Sequence, residues 1–309
     1  MDTDYHFTHK HILSLEDLSR RDIEYILQTS KSLKEISTRS IKKVPTLRGK
    51  TVINLFFEPS TRTKLSFEIA AKRMSADTFS ISAATSSTTK GETLIDTARN
   101  LQAMNPDAII IRHSASGTPH LLTKYIKASI INAGDGTHEH PTQGLLDMMT
   151  VYEKKQTLSG LKIAIIGDIA HSRVAHSDLI GFTKMGSEVH VSGPATMMPR
   201  GLQELGAVQH LNIQEAVKDA DVVMALRIQK ERLHDPLLPS MREYADFFGI
   251  NREISKLAKP DAIIMHPGPL NRNIELTTDL ADSEQSVIMD QVTNGVAVRM
   301  ALLYLILGS

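Results

Sequence analysis

The sequence has no cysteine and no tryptophan, and only 5% of its 309 residues are aromatic. The absence of cysteine excludes disulfide bonds, thiolate metal sites and a cysteine nucleophile. An excess of either charge is also missing, because Lys and Arg total 35 and Asp and Glu total 35. Balanced charge and few stacking aromatics argue against nucleic acid as a partner. Any anion-binding site in this chain must therefore be local.

Long apolar runs are scarce as well. Residues 1–10 contain no apolar stretch of the kind found in secretory signals. The most apolar segment, residues 296–307, is interrupted by Arg299 and is too short to span a bilayer. We therefore expect a cytoplasmic protein with no membrane partner. Its length of 309 residues suggests about two domains, at roughly 150 residues each.

Short apolar, β-branched runs alternate with segments of helical periodicity along the chain. The runs predict strands at residues 51–57, 78–81, 107–111, 129–132, 161–166, 189–192, 221–226 and 262–265. Helices are predicted at residues 13–36, 92–104, 118–126, 142–152 and 286–307, and directly after Ser60. Residues 231–246 contain two prolines and are predicted to form a long loop. This alternation is typical of βαβ units and predicts an α/β fold with parallel sheets.

One short stretch joins the first predicted strand to a helix: Phe57, Glu58, Pro59, Ser60, Thr61, Arg62 and Thr63. With Ser60 as the N-cap, the next three residues fall in the first helical turn. First-turn N–H groups lack intrahelical partners and lie at the positive end of the helix dipole. Hydroxyls and a guanidinium add donors that match phosphate oxygens. The stretch therefore predicts a phosphate site, although an ordinary cap with a surface arginine has the same local pattern.

Polar side chains also follow other predicted strands. They are Arg112, His140, Arg173, Arg227, Gln229 and His266. Ligands of open α/β sheets bind at the edge formed by the carboxyl ends of the strands.

His138 and His140 are two residues apart, whereas a helical zinc pair is four apart, so we expect no metal there. The glycine patterns of dinucleotide sites and of P-loops are absent, which argues against those nucleotide sites.

Jointly, these motifs resemble the carbamoyltransferases, and among them the aspartate carbamoyltransferase family. The resemblance starts near residue 13 and rests on the motifs at residues 56–63, 90–93, 112–113, 132–143, 227–232 and 265–269. It implies two doubly wound parallel-sheet domains joined by interdomain helices. The carbamoyl-phosphate domain would be residues 1–141 plus 295–309, and the aspartate domain residues 142–294. One departure is Pro-Gly-Pro-Leu-Asn-Arg after His266, where some members have Pro-Leu-Pro-Arg.

The reaction implied by the resemblance joins carbamoyl phosphate and L-aspartate to give N-carbamoyl-L-aspartate and phosphate, in de novo pyrimidine biosynthesis. The residues implied in catalysis are Arg62, Thr63, Lys90, Arg112 and His140. Substrate contacts are implied for these five and for Ser60, Thr61, Ser86, Gln143, Arg173, Arg227, Gln229, Pro267 and Gly268. The resemblance implies no metal and no cofactor.

A homotrimer is also implied, in which Ser86 and Lys90 reach into the active site of the neighbouring subunit. The resemblance leaves open whether regulatory chains or a dihydroorotase associate with the trimer.

An ornithine-type carbamoyltransferase is the first alternative, but it would be expected to carry a cysteine after His266. A non-catalytic anion-binding module would need only the helix that follows Ser60. A nicotinamide oxidoreductase is disfavoured by the glycine pattern.

Overall fold

The computed structural model describes residues 5–82, 92–228 and 240–308. The chain divides into two compact units. Unit 1 consists of Met1–Leu146 and Thr293–Ser309, and unit 2 of Asp147–Val292. Among the described helices, none combines the length and the apolar content that a membrane crossing requires.

Unit 1 is a parallel sheet with helices. Its strands are β1 (Thr51–Phe56), β2 (Asp77–Ser82), β3 (Ala108–His113) and β4 (Ser129–Asp135). Its helices are α1 (Arg20–Lys34), α2 (Thr61–Arg73), α3 (Leu94–Ala103) and α4 (Thr118–Leu122), and α5 (Pro141–Lys155) begins here. The strands are all parallel and are ordered β2-β1-β3-β4. Their carboxyl ends therefore lie along one edge of the sheet.

Strand β1 is buried from Val52 to Phe56, as expected for a central strand of a parallel sheet covered on both faces. Its one polar interior residue is Asn54, whose amide nitrogen donates to the Thr78 hydroxyl on β2 at 3.1 Å. The neighbouring strand β3 contributes the fully buried Ile109 and Ile111 to the core under α3. Rigid central strands of this kind position the loops at their ends.

Unit 2 has a second parallel sheet. Its strands are β5 (Lys162–Ile166), β6 (Glu188–Ser192), β7 (Ala207–His210), β8 (Val222–Ala225) and β9 (Ile263–Met265). Its helices are α6 (Arg173–Lys184), α7 (Ile213–Val217), α8 (Met241–Phe248), α9 (Arg252–Ser255) and α10 (Thr278–Ala281), and α11 (Ile288–Leu307) begins here. The strand order is β7-β6-β5-β8-β9, again parallel throughout.

Two helices run across the boundaries of the units. Helix α5 begins in unit 1 and ends in unit 2, whereas α11 begins in unit 2 and ends in unit 1. The predicted α/β class, with two parallel-sheet domains joined by helices, is confirmed.

The prediction of a loop over residues 231–246 was wrong at its C-terminal end. Residues 229–239 lie outside the described part of the chain, but α8 occupies Met241–Phe248. Ser240 is its N-cap, and its hydroxyl accepts from the Glu243 amide at 3.0 Å. Tyr244 is buried against Met197 and Ile228. Both prolines of this segment precede the cap residue in the sequence, so they do not interrupt the helix.

Candidate active site

The turn between β1 and α2 has the predicted form. Ser60 is the N-cap of α2, with extended backbone angles of φ −160° and ψ 90°, and its side chain makes no capping hydrogen bond. The first turn therefore begins at Thr61, and the helical bond from the Lys64 amide to the Ser60 carbonyl measures 3.2 Å. Thr61 and Arg62 are exposed. The turn thus presents amide groups, hydroxyls and a guanidinium at a helix N-terminus, where anions bind.

Arg112 lies beside this turn, at the end of β3. It pairs in register with Phe56 of β1, and its Nη1 donates to the Ala133 carbonyl at 3.3 Å. Its Nε lies 3.4 Å from Oε2 of Glu58, and both side chains are largely buried, at 15% and 16% exposure. The guanidinium is thereby held between the ends of β1 and β4. The sequence alone did not reveal the Glu58 contact, because it depends on the register of the two strands.

His113 supports the same edge. Its ring packs edge-on against Phe57 with centroids 4.9 Å apart, and its Nδ1 accepts from the Ala115 amide at 2.9 Å. Burial lowers the pKa of His113 and outweighs the opposite effects of Glu58 and Asp135. The ring is therefore neutral near pH 7. His113, which follows Arg112 in the sequence, thus adds no positive charge beside it.

His140 and Gln143 lie at the start of α5 and are almost completely buried. The backbone N–H of Gln143 donates to the backbone carbonyl of His140 at 2.8 Å, so the two residues form one turn. Glu139 anchors this turn, because its carboxylate accepts from the Leu15 amide at 3.0 Å and from the Ser14 hydroxyl. The imidazole and the amide are thus held at the edge where β4 ends.

Asp135 fixes the loop that precedes His140. Burial opposes its ionisation, but hydrogen bonds from His138, Asn132 and Gly117 hold its pKa below the usual range. The Gly117 amide donates at 2.7 Å, and Nδ1 of His138 lies 3.1 Å away. Its hydrogen bond to Asp135 raises the pKa of His138, against the effect of burial. The half-buried His138 therefore contacts the buried Asp135 carboxylate and helps to fix the loop.

Arg173 is the first residue of α6 in unit 2, and it is only 3% exposed. Ser172 caps this helix, and its hydroxyl accepts from the Ala175 amide at 3.2 Å. The connection from β5 passes Gly167, whose φ of +134° favours glycine. The arginine thus follows β5 at the carboxyl end of the sheet.

Arg227 follows β8, the neighbour of β5, in the same way. The backbone N–H of the next residue, Ile228, donates to Oε1 of Glu275 at 2.9 Å. The backbone N–H of Asn271 donates to Oε2 of the same carboxyl at 2.9 Å. Burial raises the pKa of Glu275, although its hydrogen bonds act in the opposite direction. Sequence reasoning missed this buried acid, which ties the loop after β8 to the loop after β9.

The loop after β9 contains His266, Pro267 and Gly268. His266 is 1% exposed, and its Nδ1 accepts from the Gly268 amide at 2.8 Å. Gly268 has φ +66°, a conformation in which a β-carbon would be strained. This tight turn fixes the direction of the backbone groups of Pro267 and Gly268.

The structure thus brings most of the predicted residues together in two groups. Those of unit 1 lie at the carboxyl edge of its sheet: Ser60, Thr61, Arg62, Thr63, Arg112, His140 and Gln143. Those of unit 2 follow its three neighbouring strands β5, β8 and β9: Arg173, Arg227, Pro267 and Gly268. The predicted contacts of Ser86, Lys90 and Gln229 lie outside the described residues.

Two family models match almost the whole chain. Residues 10–153 match the carbamoyl-phosphate-binding domain of aspartate and ornithine carbamoyltransferases. Residues 159–306 match the aspartate- or ornithine-binding domain of the same proteins. The chain belongs to the aspartate/ornithine carbamoyltransferase family. Both substrate classes occur in this family, so membership alone does not select the amino acid.

Relatives that are similar to this chain over nearly their whole length are named for aspartate rather than for ornithine. The aspartate carbamoyltransferase catalytic subunit of Desulfotalea psychrophila is 65% identical over 308 residues, covering 100% of this chain and 97% of the relative. That of Geobacter sulfurreducens is 59% identical and covers 98% of this chain and 97% of the relative.

Solved structures of both enzyme types have the same fold. Aspartate transcarbamoylase from Trypanosoma cruzi, in complex with N-(phosphonacetyl)-L-aspartic acid, gives a TM-score of 0.88 at 32% identity, covering 96% of this chain and 95% of that one. Ornithine carbamoyltransferase from Pyrococcus furiosus gives a TM-score of 0.86 at 33% identity, covering 97% of each chain. The overall fold therefore does not distinguish the two substrates.

Proposed function

We propose that this member of the family transfers the carbamoyl group of carbamoyl phosphate to the amino group of L-aspartate. The observation that carries the choice of aspartate is the pair Arg173 and Arg227. They follow β5 and β8, which are neighbours in the sheet of unit 2. Aspartate has two carboxylates, and each can accept a bidentate pair of hydrogen bonds from one guanidinium. Ornithine carries a side-chain cation, for which two arginines are unsuitable partners.

Carbamoyl phosphate is assigned to the residues of unit 1. Its phosphate would accept from the first turn of α2, from the hydroxyls of Ser60 and Thr61, and from Arg62. Arg112 extends the same positive edge, and we propose that Ser86 and Lys90 of a neighbouring subunit complete it. Gln143 and the backbone of Pro267 and Gly268 are assigned to the carbamoyl amide, and Gln229 is assigned to support aspartate.

In the proposed reaction, the aspartate amine attacks the carbonyl carbon of carbamoyl phosphate. A C–N bond forms, the C–O bond to phosphate breaks, and the amine proton is transferred to the departing phosphate. Negative charge develops on the carbonyl oxygen, and Thr63, Arg112 and His140 are the proposed donors. One well-placed donor is worth about 3 kcal/mol in such a transition state. The remaining catalysis would come from orienting the two substrates.

The ornithine-type activity is the second candidate, because the Pyrococcus furiosus structure resembles this chain as closely as the Trypanosoma cruzi structure does. Against it stand the full-length relatives at 59% and 65% identity that are named for aspartate. The absence of cysteine also argues against the ornithine type. A homotrimer, a cytoplasmic location and a role in pyrimidine synthesis are parts of the same proposal.

Initial rates of phosphate release test the proposal. Purified protein is incubated with carbamoyl phosphate and either L-aspartate or L-ornithine. We expect release that depends on aspartate and a rate with ornithine near the background. Equal turnover with both amino acids, or turnover with ornithine alone, would refute the aspartate assignment.

A further inference from the structure

A buried pair of acidic residues, Asp147 and Asp178, lies in unit 2. Asp147 belongs to α5 and Asp178 to α6, and both are 0% exposed. Neither carboxyl oxygen of Asp178 has a hydrogen-bond partner among the described residues. A buried carboxylate without hydrogen bonds costs several kcal/mol, so such a group is usually neutral.

The two carboxyl groups influence each other. Burial, and after it the charge of Asp147, raise the pKa of Asp178 well above its usual range. Both causes favour the neutral form of the Asp178 carboxyl. Asp147, in contrast, accepts a hydrogen bond inside the protein.

That acceptor fixes the orientation of a buried glutamine. Gln291 is near the start of α11 and is 3% exposed. Its Nε2 donates to Oδ1 of Asp147 at 2.6 Å, which leaves its Oε1 directed at the His266 amide, 3.1 Å away. Because the His266 N–H can only donate, the opposite orientation of the Gln291 side-chain amide would place its NH₂ group against this N–H and lose that bond.

This line of contacts ends at the loop assigned to the carbamoyl group. The backbone of His266 is held by Gln291, and its ring accepts from the Gly268 amide at 2.8 Å. The beginning of α11 is itself tied to β9, because the Val287 amide donates to the Ile264 carbonyl at 3.0 Å. The glutamine therefore connects Asp147 directly to the loop.

We propose that Gln291 is a positioning residue for the His266–Gly268 loop, and that its hydrogen bond to Asp147 sets the orientation of its side-chain amide. The inference rests on the proposed function, because it assigns the backbone of Pro267 and Gly268 to the carbamoyl amide. A small displacement of a reacting group can lower turnover by about 100-fold. In this proposal the loop orients the carbamoyl group, whereas the phosphate is bound by the residues of unit 1.

The test compares Gln291→Met with the matched control Gln285→Met. Gln285 is also in unit 2, but its side chain contacts Ser255 and the Ala262 carbonyl instead of the loop. We expect Gln291→Met to lower kcat by about tenfold or more. The inhibition constant of inorganic phosphate should stay within about twofold, because phosphate lacks the carbamoyl amide. The control should change neither quantity.

A second pair of variants tests the Asp147 acceptor even if Gln291→Met fails to fold. Asp147→Leu removes the acceptor of the Gln291 Nε2 hydrogen bond and should lower kcat about as much as Gln291→Met. Asp147→Asn keeps a side-chain oxygen that can accept this bond and should recover most of that loss. Unchanged kcat in folded Asp147→Leu, or in folded Gln291→Met, would overturn the inference. So would a loss of kcat accompanied by an equal loss of phosphate inhibition. A wild-type protein that does not carbamoylate aspartate would instead refute the proposed function.

Discussion

Replacing Asp178 by asparagine should stabilise the protein increasingly as the pH rises. The carboxyl of Asp178 is fully buried, and among the described residues it has no hydrogen-bond partner. Burial, followed by the nearby charge of Asp147, raises its pKa well above the usual range. The native state therefore keeps a proton that the unfolded chain releases above about pH 3.9.

The size of the effect follows from this one proton. Where the native state binds one proton more than the unfolded state, the free energy of unfolding falls by about 1.4 kcal/mol per pH unit. This decrease starts near the unfolded pKa of about 3.9 and ends at the raised native pKa of Asp178. Asparagine does not titrate, so the variant lacks this decrease. The stability of Asp178→Asn relative to wild type should therefore grow by about 1.4 kcal/mol per pH unit in that window.

Urea unfolding followed by circular dichroism measures this difference between about pH 5 and pH 8. The protein concentration is held constant, because subunit association would also contribute to stability. Asp246→Asn is the control, since it makes the same substitution at a side chain that is 67% exposed. A constant difference between Asp178→Asn and wild type across this range would show that the buried pair keeps no extra proton.

Three further predictions concern the proposed reaction. Arg227→Ala should raise the KM for aspartate about 30-fold or more, since loss of a buried charge partner costs roughly 2–5 kcal/mol; an unchanged KM would remove Arg227 from the aspartate site. His140→Ala should lower kcat by about 100-fold and change the affinity for carbamoyl phosphate by less than about fivefold, measured by calorimetry; weakened affinity with normal kcat would assign it to substrate binding alone. Arg62→Ala and Lys90→Ala should each be inactive, but co-refolded together they should regain about a quarter of wild-type activity if trimers share sites. Confirmed mixed trimers without activity would mean that Lys90 acts within its own chain.

Local patterns were sufficient to predict the parts of the site that a short segment determines. The turn from β1 into α2 is an example, because an apolar run, a proline and Ser60 specify a strand, a turn and a helix start. Arg173 and Arg227 were found in the same way, as polar residues that follow apolar strands. The α/β class followed from the alternation of these segments.

The supporting contacts could not be predicted, because they join residues far apart in the sequence. The contact of Glu58 with Arg112 depends on strand register, and the bonds of Glu275 to Ile228 and Asn271 depend on the packing of two loops. Gln291 is 144 residues from its partner Asp147. Helix α8 was missed for a different reason, since two nearby prolines outweighed its short amphipathic pattern.

The transfer of a labelled carbamoyl group tests the central claim most directly. The protein is incubated with ¹³C-carbamoyl phosphate and equal concentrations of L-aspartate and L-ornithine, and the products are identified by mass spectrometry. We predict that the label appears on the amino nitrogen of aspartate, as N-carbamoyl-L-aspartate, with ornithine unlabelled. Label found mainly on ornithine, or on neither amino acid while the protein is folded, would contradict the account.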